Sequence, residues 1–101
     1  MVKTISGHHY EVVIPNSVEK DLACLAKKDI ENIIEKLELL ASSAISLDIK
    51  KLAGFRNLYR LRYRDYRIIY EVKEDQLIIH VLAFGPRKDV YKKLRKLFKG
   101  R

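Results

Sequence analysis

The sequence contains no tryptophan, one methionine, one cysteine, two prolines and four glycines in 101 residues. A single cysteine closes no internal disulfide, which excludes a cross-linked secreted scaffold. The first residues lack the apolar stretch of an export signal, and no apolar run approaches the ~20 residues that span a bilayer. These absences predict a cytoplasmic protein with no membrane partner. Metal-ligand patterns are missing as well. His8 and His9 are neighbours and face opposite ways on a strand, His80 lies in an apolar strand, and Cys24 sits beside Leu22 and Leu25 in a helical stretch. Neither a metal nor a small-molecule cofactor is expected. Acid is short relative to base: thirteen Asp and Glu against twenty-one Lys and Arg leave a net charge of +8. That balance favours a polyanionic partner without naming an activity, since ribosomal proteins, nucleases and membrane-surface proteins share it.

What is present is a foldable chain. Its 48% hydrophobic content excludes a disordered tail, and its length suits one domain around one core. Residues 1–7 read as a loose N-terminus and 8–14 as a first strand through Tyr10, Val12 and Ile14, ended by Pro15. Asn16 followed by Glu19 fits a capping box, with Val18, Leu22, Leu25 and Ala26 at helical spacing behind it. Asp29 opens a second helix whose apolar stripe runs through Ile30, Ile33, Ile34, Leu37, Leu40, Ala41 and Ala44. Only Lys27 and Lys28 are left to join the two, which predicts an antiparallel helical hairpin. Residues 42–52 are less regular. Strands follow at about 57–63, 66–73 and 77–84, joined by short hairpin turns. Gly85-Pro86 breaks the last strand, and Val90, Leu94, Leu97 and Phe98 predict a basic C-terminal helix and tail over 88–101. The fold class is α+β: a small antiparallel sheet of about four strands with the helices on one face, in the order β-α-α-β-β-β-α.

Positive charge is concentrated in this second half. On a strand, side chains two apart share a face, so Arg60 and Arg62 point together while Tyr59, Leu61 and Tyr63 point the other way. Arg67 follows on the next strand, and Arg87 stands just after the last. Guanidinium groups are permanently charged and fork onto oxyanions, which suits a phosphodiester site.

The element order and these residues resemble the RelE/ParE superfamily of toxin–antitoxin toxins, and more closely its RelE-like mRNA interferases, over about residues 8–97. The resemblance is carried by Tyr59-Arg60-Leu61-Arg62, by Asp65-Tyr66-Arg67-Ile68-Ile69-Tyr70, and by Gly85-Pro86-Arg87 with Tyr91 beyond it. It implies a ribosome-dependent endoribonuclease that cuts messenger RNA in the decoding site and is silenced by a cognate antitoxin. It places the family's catalytic roles on Arg60, Arg62, Arg67, Arg87 and Tyr91. The attacking group it implies is the 2′-hydroxyl of the RNA, so neither a protein nucleophile nor a metal is required. Two departures stand out. Well-known members carry lysines where this chain has Arg60 and Arg62, and Pro86 stands where relatives often have histidine or lysine. Arginine does not surrender its proton in practice, so the resemblance leaves the general acid and base unassigned.

The remaining cations have two readings. Lys50 and Lys51, with Lys92, Lys93 and Lys96 in the final helix, are either solvated charge or grips on RNA phosphates. Two other functions stay open: a ParE-like inhibitor of DNA gyrase, and an RNA-binding domain without catalysis.

Overall fold

A computed structural model describes residues 3–6, 9–42 and 48–99. Of the residues singled out above, His8 and Ala44 lie outside the described residues, as does the side chain of Phe98. The elements are β1 (Lys3–Ser6), β2 (Glu11–Ile14), α1 (Asn16–Ala23), α2 (Lys27–Ala41), β3 (Ile49–Lys51), β4 (Leu58–Tyr63), β5 (Tyr66–Lys73), a 3-10 turn (Glu74–Gln76), β6 (Ile78–Pro86) and α3 (Arg87–Lys99).

The α+β class and the expected order hold, while the sheet is larger than the sequence suggested. Six strands line up as β1-β2-β6-β5-β4-β3. Two short strands are additions: β1 falls in the stretch read as loose, and β3 in the stretch read as irregular. Three or four residues are too few for a period-2 pattern to stand out. The sheet is also mixed, because β2 pairs parallel with β6 while every other pair is antiparallel. The chain leaves β2 through two helices and re-enters the sheet at its far edge. Three antiparallel steps from β3 then bring β6 back beside β2 in the same direction.

Local details at the helix starts also differ. The Pro15 carbonyl accepts the backbone N–H groups of Val18 and Glu19, and Asn16 is already the first helical residue, so the capping box does not form. Residue Ala26 caps α2 with extended backbone, and its carbonyl accepts the Ile30 N–H at 3.1 Å. The connection is therefore Cys24–Ala26, one turn earlier than the two lysines expected to form it.

Two layers of packing decide where the site lies. One sheet face presents Val12, Ile14, Leu61, Tyr63, Ile68, Tyr70, Ile79, Val81 and Phe84 to Val18, Leu22, Ile33, Leu37 and Leu40 of the α1–α2 hairpin. The other face presents Leu58, Ile69 and Ala83 to Val90 and Leu94 of α3. The final helix thus lies opposite the hairpin, correcting the expectation of helices on one face. Arg67 to Tyr70 are consecutively buried for this reason, as a strand covered on both sides must be. A bulge opposite Ile69/Tyr70 inserts Leu82 into β6, so Val81 and Phe84, three apart, both face the hairpin.

Candidate functional site

Register assembles the cations. Arg62 lies directly opposite Arg67 across β4 and β5, and Lys50 directly opposite Arg60 across β3 and β4. Directly opposed residues share a face, so all four are directed to the side that carries α3. Like charges in that arrangement oppose each other and weaken the sheet locally. A fold built for stability alone would avoid two such pairs side by side, and their presence marks a surface shaped for an anion.

Arg67 is the most constrained of these residues. The residue is only 9% exposed, and Nη1 donates to the carbonyls of Arg64 and Tyr66 at 3.3 and 3.2 Å. Among the described residues no carboxylate pairs with it. A permanently charged group held out of water by carbonyl dipoles alone is an incomplete site, which a bound anion would complete. Arg62 donates through Nε to the same Arg64 carbonyl at 3.3 Å. Residue Arg64 adopts a left-handed backbone, φ 54, in the turn between β4 and β5. Thus one turn carbonyl orients two arginines. Arg60 is held at 3.1 Å by Asp48, just before β3, and its Nε is buried without a hydrogen-bond partner.

The last contribution comes from α3. Arg87 is its first residue, and the Arg87 N–H donates to the Asp65 carbonyl at 3.3 Å, tying the helix start to the same turn. Tyr91 stands one turn further along the same flank. Together Lys50, Lys51, Leu52, Ala53, Arg60, Arg67, Arg87 and Tyr91 line an open cleft of about 430 Å³. Five cations and a tyrosine line it with no carboxylate. A polyanionic strand fits there, and the fixed charges can stabilise negative charge developing on a phosphate. Among the described residues, no three His, Cys, Asp or Glu side chains are grouped to hold a metal.

Not every candidate reaches the cleft. Arg62 is exposed beside it and does not line it. Lys92 is exposed on α3, while Lys93 and Lys96 line a separate groove between α1 and α3. Lys93 is committed there, its Nζ donating to Asp21 and to the Phe84 carbonyl, each at 2.9 Å. The tyrosines of β4 and β5 serve the core: Tyr59 stacks on Tyr70 and Tyr66 on Phe84. Burial first, and neighbouring Tyr59 second, push the Tyr70 phenol well above its ordinary range, which removes it as a proton acceptor. Sequence reasoning missed Asp48, Leu52, Ala53 and the Arg64 carbonyl. No local pattern marks them, because they join the site only through the pairing of β3 and the shape of one turn.

The family described as "ParE toxin of type II toxin-antitoxin system, parDE" matches residues 12–91. A RelE1 chain of Methanocaldococcus jannaschii is 33% identical over 86 residues, covering 82% of this chain and 96% of its own. Toxin RelE3 of the same archaeon is 39% identical over 66 residues, 64% of this chain and 73% of its own. Among solved structures, the archaeal RelE–RelB complex from Pyrococcus horikoshii OT3 contains a similar chain. Their TM-score is 0.70 at 33% identity, covering 78% of this chain and 96% of that one. The RelB–RelE antitoxin–toxin complex from Methanococcus jannaschii gives a TM-score of 0.60 at 28% identity, over 87% and 96% of the two chains.

Proposed function

The chain belongs to the RelE/ParE superfamily as the toxin of a toxin–antitoxin system, and on that premise we propose that it is a ribosome-dependent endoribonuclease cutting mRNA in the decoding site. The observation that carries this reading is the buried Arg67 guanidinium, without a carboxylate partner among the described residues, in a cleft lined by four further cations and Tyr91.

In this reading the RNA supplies its own nucleophile. The 2′-oxygen attacks the adjacent phosphorus and loses its proton, the bond from phosphorus to the 5′-oxygen breaks, and that oxygen takes up a proton. The products are a 2′,3′-cyclic phosphate and a free 5′-hydroxyl. Arg67 and Arg87 stabilise the charge that builds on the non-bridging oxygens, while Arg60 holds the strand in register. Guanidinium groups do not exchange protons at working pH. Among the residues lining the cleft, that leaves Lys50, Lys51 and Tyr91 to carry protons. The relatives' structures with RelB support a cognate antitoxin as the partner that silences this cleft.

The test is in vitro translation with primer extension on the message. Cuts inside the decoding site, insensitive to EDTA treatment of the toxin once ribosomal magnesium is restored, support the reading. A 5′-phosphate on the downstream fragment would contradict it. The match to the ParE family favours a second reading, inhibition of DNA gyrase, which a supercoiling assay on the same preparation distinguishes.

A further inference from the structure

Helix α3 delivers Arg87 and Tyr91 to the cleft, yet its buried anchors among the described side chains are only Val90 and Leu94. Arg95, Lys96 and Leu97 beyond them are exposed. These two anchors, one turn apart, define the line along which α3 meets the sheet, with half-buried Tyr91 packed beside Leu52 and Leu82 and the helix start tied to the Asp65 carbonyl. At 3.6 residues per turn, Tyr91 projects on one flank of that line and Lys93 on the other. A hold on Lys93 therefore opposes the Tyr91 contacts across that line, and losing it lets the helix shift toward one flank and move Tyr91.

Lys93 is held twice. Its Nζ donates to Asp21 Oδ2 on α1 and to the Phe84 carbonyl on β6, each at 2.9 Å. The ammonium lies over Gly85, where a Cβ would come within 3.3 Å of Nζ, so the bare glycine backbone leaves it room. The contact joins the hairpin layer, the sheet and the helix layer at one atom. We propose that Lys93 is a positioning residue: with Asp21 and the Phe84 carbonyl it fixes the rotation of α3 and hence the reach of Tyr91 and Arg87 into the cleft. Its catalytic consequence rests on the cleavage reading above.

The leverage is geometric. A roll of about 10° carries a side-chain end about 5–6 Å from the helix axis through about 1 Å. Misplacement of that size can cost up to about 10²-fold in rate. Lys93 and Asp21 are both partly exposed, so their ion pair adds little to global stability and acts on alignment.

The alternative, that Lys93 grips an RNA phosphate, predicts the opposite for its partner. Removing Asp21 would then free a cation and tighten RNA binding, while Lys93→Met would weaken it and lower the salt slope by about one. The clamp predicts that Asp21→Ala and Lys93→Met each lower the single-turnover rate on saturating ribosomes about tenfold, with KM within about twofold, and that the double variant loses no more than either. Amide hydrogen exchange should quicken in α3 and stay unchanged elsewhere. Parental rate and parental α3 exchange in Asp21→Ala, or tighter RNA binding by it, would overturn the assignment, as would exchange that rises evenly across the molecule. A parent that cuts no RNA would defeat the cleavage reading, whereas α3 exchange in the two variants would still decide the clamp.

Discussion

Arg67 and Arg87 bring the same charge to the same cleft from unlike surroundings, and that difference separates their expected mutant behaviour. Arg87 is exposed at a helix start, so Arg87→Ala should leave thermal unfolding within the range of ordinary surface substitutions, about 0.5 kcal/mol. On the proposed cleavage reading, the rate should nevertheless fall about 10²- to 10³-fold, the usual loss of one preorganised charge donor. Arg67 is buried and hydrogen-bonded to two carbonyls. Arg67→Ala should lose a similar factor in rate, whereas its stability should hold level or rise, because the change relieves both a buried charge without a carboxylate partner and the repulsion from Arg62; denaturant unfolding measures this. Tyr70 provides a separate readout of the core. Its phenol is raised by burial, so the folded state keeps a proton that the unfolded chain releases near pH 10. Stability is then fully present below about pH 10 and falls as pH rises above it, and Tyr70→Phe should flatten that alkaline decline in unfolding curves taken at stepped pH.

At the scale of elements, the turns carry strain that the strands do not. Arg64 and Leu77 both hold φ 54 without being glycine. At Arg64 the left-handed turn has a use, since its carbonyl accepts from Arg62 and Arg67 while its side chain pairs with Asp29 of α2 at 3.4 Å. The same carboxylate accepts the Tyr63 hydroxyl at 2.8 Å, and Asn32 donates to that hydroxyl at 3.0 Å. The hairpin that shapes the arginine face is thereby pinned to α2 on the other side of the sheet. Leu77 closes the 3-10 turn and its carbonyl accepts the Glu11 N–H at 2.9 Å, a backbone contact that asks nothing of the side chain, which is 51% exposed. Asparagine tolerates the left-handed region better, so Leu77→Asn should raise stability by about 0.5–1 kcal/mol, seen as a higher melting temperature with cleavage unchanged.

At the scale of the molecule, the +8 charge and the carboxylate-free cleft suit one kind of antagonist. An acidic antitoxin segment would complement the arginine face, with its association steered by charge. The association rate should fall steeply between low and physiological salt, while the dissociation rate, set by buried apolar contacts, should change little. Stopped-flow binding over a salt series checks this, and a salt-independent association rate would place the antitoxin's main contacts away from the cleft.

Much of this was legible in the residues. Alternation in Leu58–Tyr63 separates Arg60 and Arg62 from the core side of β4, the 3.6 period marks α1, α2 and α3, and the charge imbalance names the class of partner. These are local properties, written in spacing along the chain. Other features depend on contacts between segments far apart. Pairing of β3 with β4 brings Lys50 opposite Arg60, packing of Val90 and Leu94 on Leu58, Ile69 and Ala83 seats α3 on the arginine side, and Lys93 is drawn to Asp21, 72 positions away. The sequence pattern is the same for a lysine facing solvent and for one clamped against a carboxylate. Only packing of the two helix layers on opposite faces of the sheet decides between them, because a side chain's partner is set by which distant backbone the core brings within reach.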